Sequence, residues 1–257
     1  MQSTSRDDLN LLRASLADDT LVLLDGFHAV KHAIRFGADI ALVACASETQ
    51  LAALAWSLAP DIAQSLIDRA LLIPRDAVDA TPALHAQPTG VWGVARRPTY
   101  TLAQVLNAPG PVVLLENPQH QGNIGACIRV SAAAGAAGLV LTGNASPWTP
   151  AVVRGAAGLQ FAISVLTLSS LDTLTRPLIA IDPDGDDISR ATIPANPVLA
   201  FGTERHGLSP DLLARATQRI SLPMQPGVSS INLATAVGIT LYAPAIRRNE
   251  TSNPHST

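Results

Sequence analysis

From Pro111 to Arg248 short apolar runs alternate with helix-patterned segments, and this alternation limits the fold more than any other feature of the chain. The runs "PVVLLEN", "GLVLTG", "ISVLTL", "PLIAIDP", "PVLAFG" and "QRISLP" read as strands buried on both faces. Between them, Ile124 to Ala134, "TPAVVRGAAG", "SPDLLARA" and the long "SSINLATAVGITLYAPAIRR" carry helical spacing. Such alternation implies an α/β fold with a mostly parallel sheet covered on both faces, whose ligands bind outside the strand carboxyl ends.

The first hundred residues have a shorter version of the pattern. In "TLVLLDGFHAVKHAIRFGADIALVACAS" the residues Leu21 to Leu24 read as a strand, Ala29 to Phe36 as a helix closed by Gly37, and Ile40 to Ala46 as a second strand. Helical material around Pro60 and a strand at Ala70 to Ile73 complete a small α/β unit. Pro98, Pro109, Gly110 and Pro111 punctuate "RRPTYTLAQVLNAPGP", which reads as a linker. The expected division is therefore a domain over residues 1–107, a second over 108–250, and a disordered tail at 251–257.

Charge narrows the function classes. The net charge is -3, with 8 basic against 11 acidic residues up to Asn107 and 9 against 9 beyond it, so any nucleic acid must meet a local patch and not a whole-protein field. With 47% hydrophobic and 14% charged residues the chain is globular. Its first residues lack a basic start followed by an apolar stretch, and no apolar run approaches a bilayer's thickness, so a cytoplasmic protein without membrane contact is expected. Cys45 and Cys127 have no CxxC spacing and the six histidines form no cluster, so buried thiols and no metal are expected.

Three loops at strand ends share a polar, Gly-containing character: "NPQHQGNIGACIR", "FGTERHGLSP" and "LPMQPGVSSIN". Asn123 and Arg129 head an almost purely apolar helix, which a core helix does not need. Gly202 follows its strand directly and lets backbone come close to a ligand, while Glu204, Arg205 and His206 put ionisable groups at the same edge. Ser229 and Ser230 open the final helix, where serine is an ordinary cap. Asn232, placed in the first turn of that apolar helix, needs a polar partner.

These segments resemble the three motifs of the SpoU/TrmH family of RNA ribose 2'-O-methyltransferases, a branch of the SPOUT superfamily. The matches are "NIGACIRVSA", "FGTERHGLS" and "LPMQPGVSSIN", in family order within residues 112 to 246. The extra residues between Pro118 and Asn123 depart from the usual D-P-x-N start, and "GNIGA" resembles members that methylate ribosomal RNA in antibiotic resistance. "LLDGFHAVKHAI" is similar to the L30e-like substrate domain that many members carry.

The resemblance implies a trefoil-knotted C-terminal methyltransferase domain, a homodimer, S-adenosylmethionine as cofactor and ribosomal or transfer RNA as substrate. It places Gly202, Leu222 and Ile231 on the cofactor, with Thr142, Gly143 and Met224 beside them, and Asn123, Arg129, Glu204, Ser230 and Asn232 in the catalytic set. Arg154 matches an arginine near the substrate, and Arg96 with Arg97 is a candidate RNA-binding pair. An arginine with a pKa above about 12 is an expensive base, so the role expected of Arg129 is to position a phosphate and stabilise developing alkoxide character. Two alternatives stay open: a noncatalytic RNA-binding protein on the same fold, and a knotted methyltransferase acting on a base nitrogen. Because all three motifs follow Pro111, a chain beginning near Gly110 is expected to keep cofactor binding.

Overall fold

The computed structural model describes residues 1–257 except 82, 83, 85–87, 173, 204, 205 and 253–257, and does not describe the side chains of 75, 245 and 247–252. Two compact units emerge: Met1–Thr99 with Trp148–Ala162, and Tyr100–Pro147 with Ile163–Thr257. Among the described residues no helix is long and apolar enough to cross a membrane.

The first unit begins with α1 (Arg6–Ala14), closed by a capping box in which Ser5 and Asp8 satisfy each other's backbone N–H groups. It continues through β1 (Leu21–Asp25), α2 (Phe27–Arg35), β2 (Ile40–Cys45), α3 (Glu48–Leu58), α4 (Ala63–Arg69), β3 (Ala70–Leu72), α5 (Arg75–Asp79) and β4 (Val91–Arg96). The sheet order is β1-β4-β2-β3, antiparallel except for the β2/β3 pair. The expected strands and α2 are present. β4 was not expected: Gly93 interrupts the apolar run of "VWGVAR", and glycine in a strand weakens the pattern that would mark it.

The segment Trp148–Ala162 completes this unit. Thr149 caps α6 (Pro150–Gly155), accepting from the Val152 N–H, with Pro150 in the favoured first position. Gly158 then adopts a left-handed φ of +75°, and a Cβ there would lie 2.5 Å from the carbonyl oxygen of Ala29. Only glycine allows that approach. The ring of Trp148 meets Phe161 edge-on at 5.7 Å, and Nδ1 of His32 donates to the Ala157 carbonyl at 2.7 Å.

The second unit opens with a helix, α7 (Leu102–Asn107). Thr101 and Gln104 form its capping box, and its Val105 is fully buried in the core formed by Val112, Leu114, Val140, Val198 and Ala200. Arg176 donates to the carbonyls of Leu106 at 2.8 Å and Gly110 at 2.7 Å, and also to that of Ala108. The stretch expected to be a linker is thus fastened into the second unit, and the division falls at Thr99/Tyr100 in place of Asn107.

Six strands follow: β5 (Val112–Leu115), β6 (Gly138–Thr142), β7 (Ser164–Leu168), β8 (Leu178–Asp187), β9 (Val198–Phe201) and β10 (Gln218–Ser221). Their order is β10-β8-β9-β5-β6-β7 and every pair is parallel. The expected parallel sheet is therefore present, with all six strands where their apolar runs lie. Its helices are α8 (Gln121–Ala133), α9 (Pro210–Arg215) and α10 (Leu233–Ser252), and α10 packs along α8. Thr251 and Ser252, expected in a disordered tail, belong to α10, and the rest of that tail lies outside the described residues.

Candidate active site

One feature of the sheet is irregular. Between the consecutive β10 residues Arg219 and Ile220, the pairing on β8 jumps from Ala180 to Asp186. Five residues, Ile181 to Gly185, therefore leave the ladder as a large bulge. Gly185 permits it, because a Cβ there would lie 2.5 Å from the backbone of Arg219 and Ile220. Bulges of this kind recur beside active sites, where they re-aim side chains.

The bulge forms one wall of a cavity of about 370 Å³ at the carboxyl ends of β9 and β10. Ile181, Asp182 and Pro183 line it together with Phe201, Gly202, Thr203 and Gly207 after β9, Leu222 and Met224 after β10, Asn123 of α8, and Ser229 to Leu233 with Ala236 at the head of α10. Its size falls at the lower end of small-molecule sites, and its mixture of apolar walls with a few convergent polar groups is what such sites require.

The loop after β9 closes on itself. Thr203 and Gly207 exchange two backbone hydrogen bonds of 3.0 and 3.1 Å, and a Cβ on Gly202 would come within 1.9 Å of the Gly207 carbonyl carbon. Gly202 is thus required first by its own loop. That loop is anchored by Glu116, whose carboxylate accepts from the Ser209 N–H at 2.7 Å and the Ser209 hydroxyl at 2.5 Å. Ser209 in turn caps α9 by accepting from the Leu212 N–H. Sequence reasoning passed over Glu116, although an acidic residue directly after four buried apolar ones was the available signal.

At the other side, Asn232 proves to be the cap of α10, accepting from the N–H groups of Ala234 at 2.9 Å and Thr235 at 3.3 Å. The expectation that Ser229 and Ser230 open this helix is corrected: it begins at Leu233, and both serines are exposed residues of the preceding loop. With its oxygen so occupied, the Asn232 amide turns its nitrogen outward and donates to Asn123 Oδ1 at 3.0 Å.

The cavity therefore collects Asn123, Ser230 and Asn232 of the expected catalytic set and Gly202, Leu222, Met224 and Ile231 of the expected cofactor set. Glu204 lies outside the described residues. Arg129 sits exposed on α8 about two turns beyond Asn123 and is not part of the lining. Thr142 and Gly143 lie at the end of β6, also outside the lining, where Thr142 Oγ1 accepts from the Asn117 N–H at 3.1 Å and Gly143 has a φ of +81° against the Asn117 side chain. Ile181, Asp182 and Thr203 are lining residues that sequence reasoning missed. No hydrophobic period reveals a bulge.

The three expected RNA-binding arginines all belong to the first unit. Arg154 pairs at 2.5 Å with Asp25, whose side chain is 4% exposed against 52% for the arginine. Arg97 lies over the Trp148 ring at 5.6 Å, and Arg96 pairs at 3.3 Å with an exposed Asp39.

The cavity residues fit S-adenosylmethionine by their chemistry: apolar walls for a nucleoside, amide and hydroxyl groups for its polar edges, and one carboxylate beside a cationic ligand. A 23S rRNA (adenosine(1067)-2'-O)-methyltransferase of Streptomyces laurentii is 33% identical over 171 residues, 62% of this chain and 63% of that protein. An uncharacterized tRNA/rRNA methyltransferase of Synechocystis sp. is 33% identical over 174 residues, 61% of this chain and 62% of its own length. The match thus spans less than two thirds of either relative. Among solved structures, the SpoU methyltransferase AviRb from Streptomyces viridochromogenes, in complex with AdoMet, superposes with a TM-score of 0.75 at 21% identity, covering 96% of this chain and 99% of that one. The profile of the SpoU rRNA Methylase family matches residues 110–242, just over half of the chain and the stretch that builds the cavity, and the protein belongs to that family.

Proposed function

We propose that the protein is an S-adenosylmethionine-dependent RNA methyltransferase that modifies a ribose 2'-hydroxyl of ribosomal or transfer RNA. The observation that carries this is the single cavity in which all three motif segments meet, with the Asn232 to Asn123 bond joining the third motif to the first. Family membership and the relatives named for 2'-O-methylation support the same reading.

When bound, S-adenosylmethionine supplies a methyl group on a cationic sulfur. Gly202, Leu222, Met224 and Ile231 would hold it through apolar contact and backbone groups, with Phe201 and Ile181 adding apolar lining. The chain's own part is to bring a weak nucleophile into line and help its proton leave. The Asn123 and Asn232 amides, held by their mutual bond, orient polar groups at the cavity rim. Ser230, exposed in the loop before α10, would hydrogen-bond the ribose. Arg129 faces solvent, the side from which RNA must arrive, and is suited to hold a backbone phosphate by its planar fork.

The domain assignments belong to the same proposal: an RNA-reading first unit resembling L30e, a trefoil-knotted second unit, and a cytoplasmic homodimer. The last is supported by an exposed apolar stripe on α10, where Ile239, Tyr242 and Ile246 follow one another at helical spacing with 44%, 41% and 56% exposure.

Methyl transfer from labelled cofactor to ribosomal and transfer RNA, followed by nuclease digestion, tests the reading. Nuclease-resistant 2'-O-methyl dinucleotides are expected. A methylated base would move the reaction to a nitrogen, and binding without transfer would mark a noncatalytic RNA-binding protein.

A further inference from the structure

Asp182 is the one charged side chain among the described residues lining the cavity. It is there because of the β8 bulge, and its carboxylate is held by the Asp184 N–H, which donates to Oδ1 at 3.0 Å. A neutral donor fixes the group without cancelling its charge. We propose that Asp182 sets the preference of the cavity for the cationic sulfonium cofactor over the neutral thioether product, so that transfer itself weakens the product's hold. The inference rests on the cofactor reading above.

The two ligands differ by one methyl group and one unit of positive charge. The apolar walls of Ile181, Phe201, Leu222 and Met224 act nearly alike on both, because burial of apolar surface is blind to a charge elsewhere in the ligand. A carboxylate is not. Taken as a sphere, a cavity of 370 Å³ is about 9 Å across, which sets the scale of the separation between Asp182 and a sulfur held inside. For an effective dielectric between about 20 and 80, a unit charge at roughly 9 Å gives a preference of about two- to twentyfold, and more at closer range. That range is enough to let incoming cofactor displace spent product at comparable concentrations.

The test is calorimetric titration of the full chain with S-adenosylmethionine and with S-adenosylhomocysteine, in the native protein, Asp182→Asn and Asp184→Asn. Asparagine keeps an oxygen to accept from the Asp184 N–H, so the bulge should survive. The ratio of the two dissociation constants should shift toward the product by about two- to twentyfold in Asp182→Asn and by less in Asp184→Asn, whose side chain is outside the lining and farther from the ligand. In the native protein the preference should also weaken as salt is raised. Equal weakening of both ligands in Asp182→Asn, no change in either, or a native ratio indifferent to salt would each overturn the proposal. A native chain that binds neither ligand would instead sink the cofactor reading on which it rests.

Discussion

The Asn232 amide is used at both ends: its oxygen caps α10 through the Ala234 and Thr235 N–H groups, while its nitrogen donates to Asn123 Oδ1 at 3.0 Å. One side chain thereby fixes the start of the last helix and the polar rim of the cavity. Asn232→Asp separates these tasks, because aspartate caps a helix as well as asparagine but offers no donor to Asn123. We expect stability within about 1 kcal/mol of the native protein and methyl transfer reduced by about a hundredfold, the scale of an ångström misplacement of reacting groups. Thermal melts and single-turnover assays read the two effects apart, and equal losses in both would refute the separation.

Arg129 gives a different signature. It is exposed and outside the cavity lining, so Arg129→Ala should leave cofactor affinity nearly unchanged while abolishing methyl transfer. Arg129→Lys should not restore activity, since an ammonium lacks the planar fork. Full activity in the lysine variant would show that charge alone suffices.

Arg154 should behave as a structural residue first. Asp25 is buried, and removing Arg154 takes away the cation that faces its carboxylate at the end of β1. For a pair exposed on one side the expected cost of Arg154→Ala is about 1–3 kcal/mol, below that of a fully buried pair. Chemical denaturation measures it. Native stability together with lost RNA affinity would return Arg154 to the substrate.

A pH effect should accompany His32. Burial is the larger influence and lowers its pKa below the ordinary 6.5, opposed by the bond to the Ala157 carbonyl and reinforced by Lys31, Arg35 and His28. The folded protein therefore binds this proton less readily than the unfolded chain. Its contribution to stability is complete above about pH 6.5 and is lost as pH falls through the lowered folded value. His32→Asn, which keeps a donor for Ala157, should flatten this decline between neutrality and the range where Asp18, Asp61 and Asp172, all lowered by hydrogen bonds, begin to protonate. Denaturant midpoints measured across pH check it.

Every strand of the parallel sheet was readable, because strands buried on both faces leave unbroken apolar runs such as Val112 to Leu115. Most of the cavity was readable too, since its glycines, amides and serines interrupt those runs. What escaped depends on long-range pairing. Asp182 enters the site through a register jump, Glu116 meets a serine 93 positions later, and Asp25 meets an arginine 129 positions later. The capping role of Asn232 was missed for a local reason: two serines stood before it, and either was an acceptable cap.

The excursion of Trp148–Ala162 into the first unit bears on how such a protein can be recombined. A chain cut to begin near Gly110 would strip the partners from Val152, Val153 and Phe161, now at most 9% exposed, and leave Arg154 without Asp25. The cut chain would carry a sticky loop between two otherwise intact strands, so loss of cofactor binding in it would report aggregation before it reported chemistry. By the same token, exchanging the first unit for that of a relative requires moving two stretches at once, 1–99 and 148–162. A graft of the first alone would bring a surface already shaped around Gly158 and leave behind the segment that fills it.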